Sequence, residues 1–198
     1  KNYPKTKRDL KKAVIERTDE SRIIARQFGK EFFDGDRKFG YGGFNYNPKF
    51  WTNVVVDFVE HYDLKDNSSI LDVGCGKGFM LYDFKKFNKS FKIKGIDISE
   101  YAIENSIDEI KHQLTVGSAE KLPFNDNSFD LVISINTIHN LDELKCAESL
   151  KEIERVSKKS KFITVDAYRN NDEKERMYAW NLTAKTIKHV DEWKDFFK

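Results

Sequence analysis

A short apolar run that ends in an acid and then sets glycine at three alternate positions constrains this chain more than any other stretch: Ile70-Leu71-Asp72-Val73-Gly74-Cys75-Gly76-Lys77-Gly78-Phe79. It reads as a strand delivering a ligand into a tight turn that opens a helix. Gly74, Gly76 and Gly78 leave out side chains where the backbone must take unusual dihedrals or approach a bound molecule closely. The helix beginning near Lys77 offers free backbone N–H groups at its N-terminus. The spacing, Asp-x-Gly-x-Gly-x-Gly, is one residue shorter than the Gly-x-Gly-x-x-Gly of a dinucleotide site, and its acid stands directly ahead of the first glycine.

Beyond Asp66-Asn67-Ser68, strand and helix patterns alternate, as βα units on a parallel sheet do. Strands are predicted at Ile70-Val73, Phe91-Ile96, Gln113-Val116, Leu131-Ser134 and Phe162-Val165. Helices fall at Gly78-Phe87, Glu100-Ile110, Asp142-Ser157, Glu173-Thr183 and Asp191-Phe197. Ahead of the sheet, Leu10, Val14, Ile15, Ile23, Ile24, Phe28, Phe32 and Phe33 recur at helical intervals, interrupted near Thr18-Asp19, which predicts one or two helices. Asp34 to Tyr46, dense in glycine and aromatics, reads as a loop. Asn47-Pro48 then caps a helix through Trp51 and Val55 to about Tyr62. The division is an N-terminal helical extension with an aromatic, glycine-rich loop over residues 1–66 and an α/β core over 67–198.

At 198 residues, 39% hydrophobic and 14% aromatic, the chain suffices for one domain with a full core. With 35 basic and 33 acidic residues the net charge is +2, too balanced for a nucleic-acid field over the whole surface. The exception is the cluster Lys1, Lys5, Lys7, Arg8, Lys11 and Lys12, read as a solvated helix or tail. Two distant cysteines, Cys75 and Cys146, make neither a disulfide framework nor a metal set, so no metal is expected and a reducing, cytoplasmic setting fits. No run approaches the length of a membrane span, and no signal peptide opens the chain, which predicts a soluble protein.

Four motifs in order, within roughly Ser69 to Val165, resemble the class I S-adenosylmethionine-dependent methyltransferases. The first is the glycine loop. The second is Gly95-Ile96-Asp97-Ile98-Ser99, a strand ending in an acid about 20 residues on, where a ribose-binding carboxylate belongs. Gly117-Ser118-Ala119-Glu120-Lys121-Leu122-Pro123-Phe124 is the third, and Phe129-Asp130-Leu131-Val132-Ile133-Ser134-Ile135-Asn136-Thr137-Ile138-His139-Asn140-Leu141 the fourth. The resemblance implies a Rossmann-like, doubly wound and mainly parallel sheet, with S-adenosylmethionine as donor and S-adenosylhomocysteine as product. Its cofactor contacts fall on Asp72, Gly74, Cys75, Gly76, Gly78, Asp97, Ile98, Ser118, Ala119 and Ser134. Many relatives carry aspartate where Ser118 stands. The family's seven-stranded sheet closes with a hairpin, whereas only five strands are found here; the expectation is a chain cut short at its C-terminus, or a sheet edge covered by a partner or a second copy.

Methyl transfer from a sulfonium needs chiefly alignment and exclusion of water, with a general base for a hydroxyl or a protonated amine. His139, just past the fourth strand, is the candidate base or substrate contact, and Asn136 a candidate substrate contact. Tyr41, Phe44, Tyr46 and Trp51 are candidates for a lid over the pocket, and Asp166 and Tyr168 for its far wall. His61, His112 and His189 read as surface or structural. The leading reading is a methyltransferase for a small-molecule acceptor. Its alternatives are an RNA or protein methyltransferase and, from another class, a non-catalytic S-adenosylmethionine-binding or interaction module. Against nucleic acid stand the absence of an Asn-Pro-Pro-Tyr-like set after the fourth strand and of a strong basic patch. A nicotinamide-dependent oxidoreductase would need the longer glycine spacing.

Overall fold

The computed structural model of the chain describes residues 16–198. Among these described residues eight α-helices flank the sheet: α1 Asp19–Ala25, α2 Lys30–Asp34, α3 Pro48–His61, α4 Phe79–Phe87, α5 Glu100–Glu104, α6 Glu143–Val156, α7 Asn171–Trp180 and α8 Val190–Phe196. The sheet holds β1 Ser69–Val73, β2 Lys92–Asp97, β3 Leu114–Val116, β4 Phe129–Ile135 and β5 Ser157–Thr164, all parallel, in the order β3-β2-β1-β4-β5. A two-residue strand β6, Ala167–Tyr168, pairs in parallel with β7, Lys188–His189, as a separate small sheet.

β1 can occupy the centre because it is apolar on both faces, as a strand of a doubly covered parallel sheet must be. Ile70 packs with Val55 and Phe58 of α3 and with Leu81 and Phe84 of α4. Leu71 and Val73 face the opposite layer, with Cys146 and Ile153 of α6 and Trp193 of α8. β2 and β4 leave opposite sides of β1, so the strand order reverses between β1 and β4. A crevice therefore opens beyond their carboxyl ends, where open α/β sheets bind ligands.

The structure differs from the sequence expectations at several element ends. α5 stops at Glu104 rather than Ile110, because the side chains of Asn105 and Ser106 bond back to the carbonyls of Tyr101 (2.8 Å) and Ile103 (2.7 Å) and release the chain from the helix. β5 begins at Ser157, directly after α6, where a polar run predicts no strand until Phe162. An edge strand bears such polarity, and the exposed Lys158, Lys159 and Lys161 discourage edge-to-edge pairing. α1 and α2 are separated by Phe28, which takes a left-handed φ of 51°. Thr18 caps α1 by accepting from the Ser21 N–H at 3.1 Å, where the interruption was expected. Leu10, Val14, Ile15 and the basic cluster lie outside the described residues.

Candidate functional site

The glycine loop is held against the end of β2. The Gly74 and Cys75 N–H groups both donate to the Ile96 carbonyl, at 2.7 and 3.1 Å, and the Gly76 N–H donates to Asp97 Oδ2 at 2.7 Å. Gly74 has φ 85°, and a Cβ there would lie 2.1 Å from Thr137 Oγ1, so only glycine lets β1 turn beneath the end of β4. Gly76, at φ 54°, faces the ring of Phe44, 3.4 Å from an added Cβ. Asp97 Oδ1 accepts from the Ser99 N–H at 2.9 Å, while Ser99 Oγ caps α5 by accepting from Ala102 at 3.0 Å. Burial pushes the Asp97 carboxyl up, against the pull of its bonds from Ser99 and Gly76.

Asp72 sits deeper, 5% exposed, and its carboxylate makes no hydrogen bond among the described residues. Burial, with the Asp97 charge behind it, pushes its pKa up to about 8. A buried acid and a half-buried one lining one cavity call for a ligand that brings hydroxyls or positive charge.

The cavity has a volume of about 1200 Å³. Of the residues expected at the site, Asp72, Gly74, Cys75, Gly76, Asp97, Ile98, Ser118 and Ala119 line it, and so do Tyr41, Phe44, Trp51, Asn136, His139 and Asp166. Ile98 is 59% exposed, an apolar side chain left uncovered at the rim beside Asp97. Ser118 Oγ is engaged within its own turn, with Glu120.

Four expected residues do not reach the cavity. Gly78 is turned away, its missing side chain making room for Leu114 and Ile110. Ser134 is fully buried within β4, its hydroxyl without a hydrogen-bond partner among the described residues. Tyr46 anchors the aromatic loop to α4 instead, donating to Asp83 and packing on Phe79 and Tyr82. Tyr168 belongs to β6, with His189 as its neighbour on β7.

The aromatic loop lies closed over the glycine loop. Lys77 Nζ, on a side chain 8% exposed, donates to Asp34 Oδ2 at 2.6 Å; the Tyr101 hydroxyl donates to the same oxygen at 2.8 Å, and the Phe44 N–H to Oδ1 at 2.9 Å. Burial raises the Asp34 pKa, but these three donors outweigh it and hold the carboxyl below its ordinary range. Tyr41 lies tilted against Phe44, which stacks on Phe79, with centroids 4.3 and 4.7 Å apart.

At the end of β4, Asn136 takes φ 54°, a left-handed conformation that asparagine tolerates, and exchanges bonds with Thr164 across to β5. His139 is 4% exposed. Its Nδ1 accepts from the Asp166 N–H at 2.9 Å, and its Nε2 lies 4.0 Å from Asp166 Oδ2. Burial lowers its pKa, opposed by the Asp166 charge.

Among the cavity residues that sequence reasoning missed, two groups come from segments far apart in the chain: Arg26, Phe28, Phe32 and Phe33 from the N-terminal segment, and Trp180 to Thr183 and Lys185 at and after the end of α7. The two segments meet where Arg22 donates to the carbonyls of Asn181 (3.3 Å), Tyr178 (3.5 Å) and Ala179 (3.4 Å) at the end of α7. No motif marks these residues; the density of aromatics between Phe28 and Phe33 is the single available signal. The charged residues of α6 serve structure: Glu152 and Arg155 grip the Leu122 to Phe124 turn by its main chain.

A doubly wound parallel sheet with an acid-flanked glycine loop at its switch point defines the class: an α/β protein that binds a nucleoside-containing ligand at the carboxyl edge. The family profile described as "Methyltransferase domain" matches residues 64–198, so the chain belongs to the class I S-adenosylmethionine-dependent methyltransferase family. The family's methyl donor is S-adenosylmethionine. Sterol 4-C-methyltransferase strm-1 of Caenorhabditis elegans is 31% identical over 124 residues, 57% of this chain and 35% of that protein. The tRNA (carboxymethyluridine(34)-5-O)-methyltransferase of Arabidopsis thaliana is 31% identical over 144 residues, 72% of this chain and 33% of that one. Arginine-hydroxylase NDUFAF5 of Rattus norvegicus is 37% identical over 99 residues, 49% of this chain and 28% of that protein. The chain thus covers about a third of these relatives' length. Among solved structures, MccD superposes with a TM-score of 0.60 at 23% identity, over 77% of this chain and 71% of that one.

The residues present fit such a donor on two observations of the structure. Asp72 is a buried acid without a bonding partner among the described residues, as a cationic amino-acid tail would supply. Ile98 is an exposed apolar surface adjoining a carboxylate that already orders the glycine loop. No helix among the described residues is long and apolar enough to cross a membrane, and no cluster of potential ligands for a metal occurs among them.

Proposed function

We propose that this chain is a methyltransferase that passes the methyl of S-adenosylmethionine to a small-molecule acceptor by in-line displacement. The observation that carries this reading is the cavity. Its volume of about 1200 Å³ exceeds the roughly 300–1,000 Å³ of ordinary ligand pockets. One cavity thus holds the donor-site residues and a set of aromatic side chains, with more volume than an ordinary single-ligand pocket. Asp97 would hold the ribose, Ser118 and Ala119 the adenine, and Gly74 to Gly76 with Asp72 the amino-acid tail. When bound, the donor supplies an electrophilic methyl on a sulfonium.

The protein's own contribution is positional. Phe33, Tyr41, Phe44 and Trp51 enclose the reacting centre and exclude water, and the Lys77–Asp34 bond ties that cover to the loop under the donor. A small acceptor is favoured over a polymer because the walls come from the N-terminal segment, the aromatic loop and the post-α7 segment together, and Arg22 joins the first to the last. The tRNA-modifying relative supports a nucleic-acid acceptor as the second reading. Calorimetry with S-adenosylhomocysteine, followed by methyl transfer from S-adenosylmethionine to sterol, phenol, amine and tRNA acceptors, tests both. Failure to bind S-adenosylhomocysteine would sink the donor assignment; salt-sensitive turnover of tRNA alone would select the second reading.

A further inference from the structure

We propose that Asp166, rather than His139, takes the proton from the methyl acceptor, that His139 is the positioning residue beside it, and that the acceptor therefore presents a hydroxyl or an amine. The inference rests on the reading of the cavity as a methyl-transfer site. A backbone N–H can only donate, so the Asp166 N–H, 2.9 Å from His139 Nδ1, requires a lone pair on that nitrogen. The neutral ring then carries its one proton on Nε2. Neither nitrogen has a lone pair left for the substrate. Protonating Nδ1 would break the bond to Asp166 and place a charge on a ring that is 4% exposed.

Asp166 has the complementary arrangement. Its backbone is fixed at both ends, through the N–H to His139 and through the carbonyl, which accepts from Trp193 Nε1 at 2.9 Å. Asp166 lines the cavity, and its carboxylate, on a side chain 26% exposed, makes no hydrogen bond among the described residues; Oδ2 lies 4.0 Å from the Nε2–H edge of His139. The backbone of this residue is held in place while its carboxylate keeps its lone pairs uncommitted. Other charged groups nearby are otherwise placed. Lys188, opposite Ala167, is paired with Glu143 at 2.9 Å, and His189 caps α8; Lys185, exposed, lines the same cavity, and its N–H donates to the His139 carbonyl at 2.9 Å.

As the acceptor oxygen or nitrogen bonds to the methyl, the carbon–sulfur bond breaks and its electron pair stays on sulfur. The acceptor's proton passes to an Asp166 oxygen and from there to water. A thiol ionises readily near neutral pH and has far less need of this base.

The test uses the full chain and Asp166→Asn, with catechol, phenethylamine and thiophenol as probe acceptors. Expected are methylation of the hydroxyl or amine probe and a kcat at least about 100-fold lower in the variant. S-adenosylhomocysteine affinity should stay unchanged by calorimetry. His139→Gln should lose less rate. Independently of any acceptor, nitrogen-15 NMR should show His139 neutral, with Nδ1 unprotonated, through the pH range in which exposed histidines titrate. Turnover of thiophenol alone, no turnover of any probe, full activity in Asp166→Asn, or a His139 ring protonated at Nδ1 would each overturn the proposal. Loss of S-adenosylhomocysteine binding by the unaltered chain would instead overturn the reading beneath it.

Discussion

Asp97 spends both carboxylate oxygens on backbone N–H groups, of Gly76 and Ser99, and so shapes the loop on which a ligand would rest. Hydrogen bonds to charged groups are worth about 1.5–3 kcal/mol each, so Asp97→Ala should weaken S-adenosylhomocysteine binding at least about tenfold; unchanged calorimetric affinity would refute this. Asp72 makes a pH prediction. Its folded pKa, raised to about 8, lies above the unfolded value, so the stability it contributes is complete below about pH 4 and is lost as pH rises through 8. A ligand ammonium beside it would reverse the shift, so binding near neutral pH should release a proton and tighten as pH rises. Calorimetry in buffers of different ionisation enthalpy would detect that proton. Both glycines have left-handed φ, so alanine strains either, but Gly74→Ala also collides with Thr137 and should lower the melting temperature more than Gly76→Ala, which has room beside Phe44 and should additionally impair ligand binding.

Among the elements, the segment from α2 to α3 is tied to the glycine-loop helix twice, by Asp34 with Lys77 and by Tyr46 and Thr52 with Asp83 of α4. Removing one partner of a buried pair commonly costs about 3–5 kcal/mol; Asp34 keeps 23% exposure, so about 1–3 kcal/mol is expected for Lys77→Met. The cost should be local. Hydrogen exchange should rise over residues 36–46 and S-adenosylhomocysteine should dissociate faster, with the sheet amides unchanged. The helical and strand periods of this chain were legible where both faces are buried, as in β1 and β4. They were not where side chains redirect the backbone, as at Asn105 and Ser106, or where an edge position accepts a lysine-rich strand, as at 157–161. Local patterns report burial, and these segments are decided by a hydrogen bond or by an empty side of the sheet.

For the molecule as a whole, the N-terminal and C-terminal segments share one wall of the cavity. Arg22→Ala would free three carbonyls at the end of α7 and part α1 from residues 178–181. It should raise hydrogen exchange in both segments together and lower stability by about 0.5–1.5 kcal/mol, while the five-stranded sheet keeps its protection. If only one segment responded, the two would not be coupled in this way.

The glycine spacing, the acid that follows by one βα unit and the alternation of strand and helix were sufficient to determine the class of fold and the donor's end of the site. Those features are local, because a tight turn and a strand-end acid state their geometry in a few neighbouring residues. Which side chains wall the rest of the cavity, and which nitrogen of His139 holds its proton, depended on segments more than 100 residues apart meeting, and on an N–H arriving from β5's far end, as from Arg22 to Asn181 and from Asp166 to His139. Only packing brings those groups within hydrogen-bond reach.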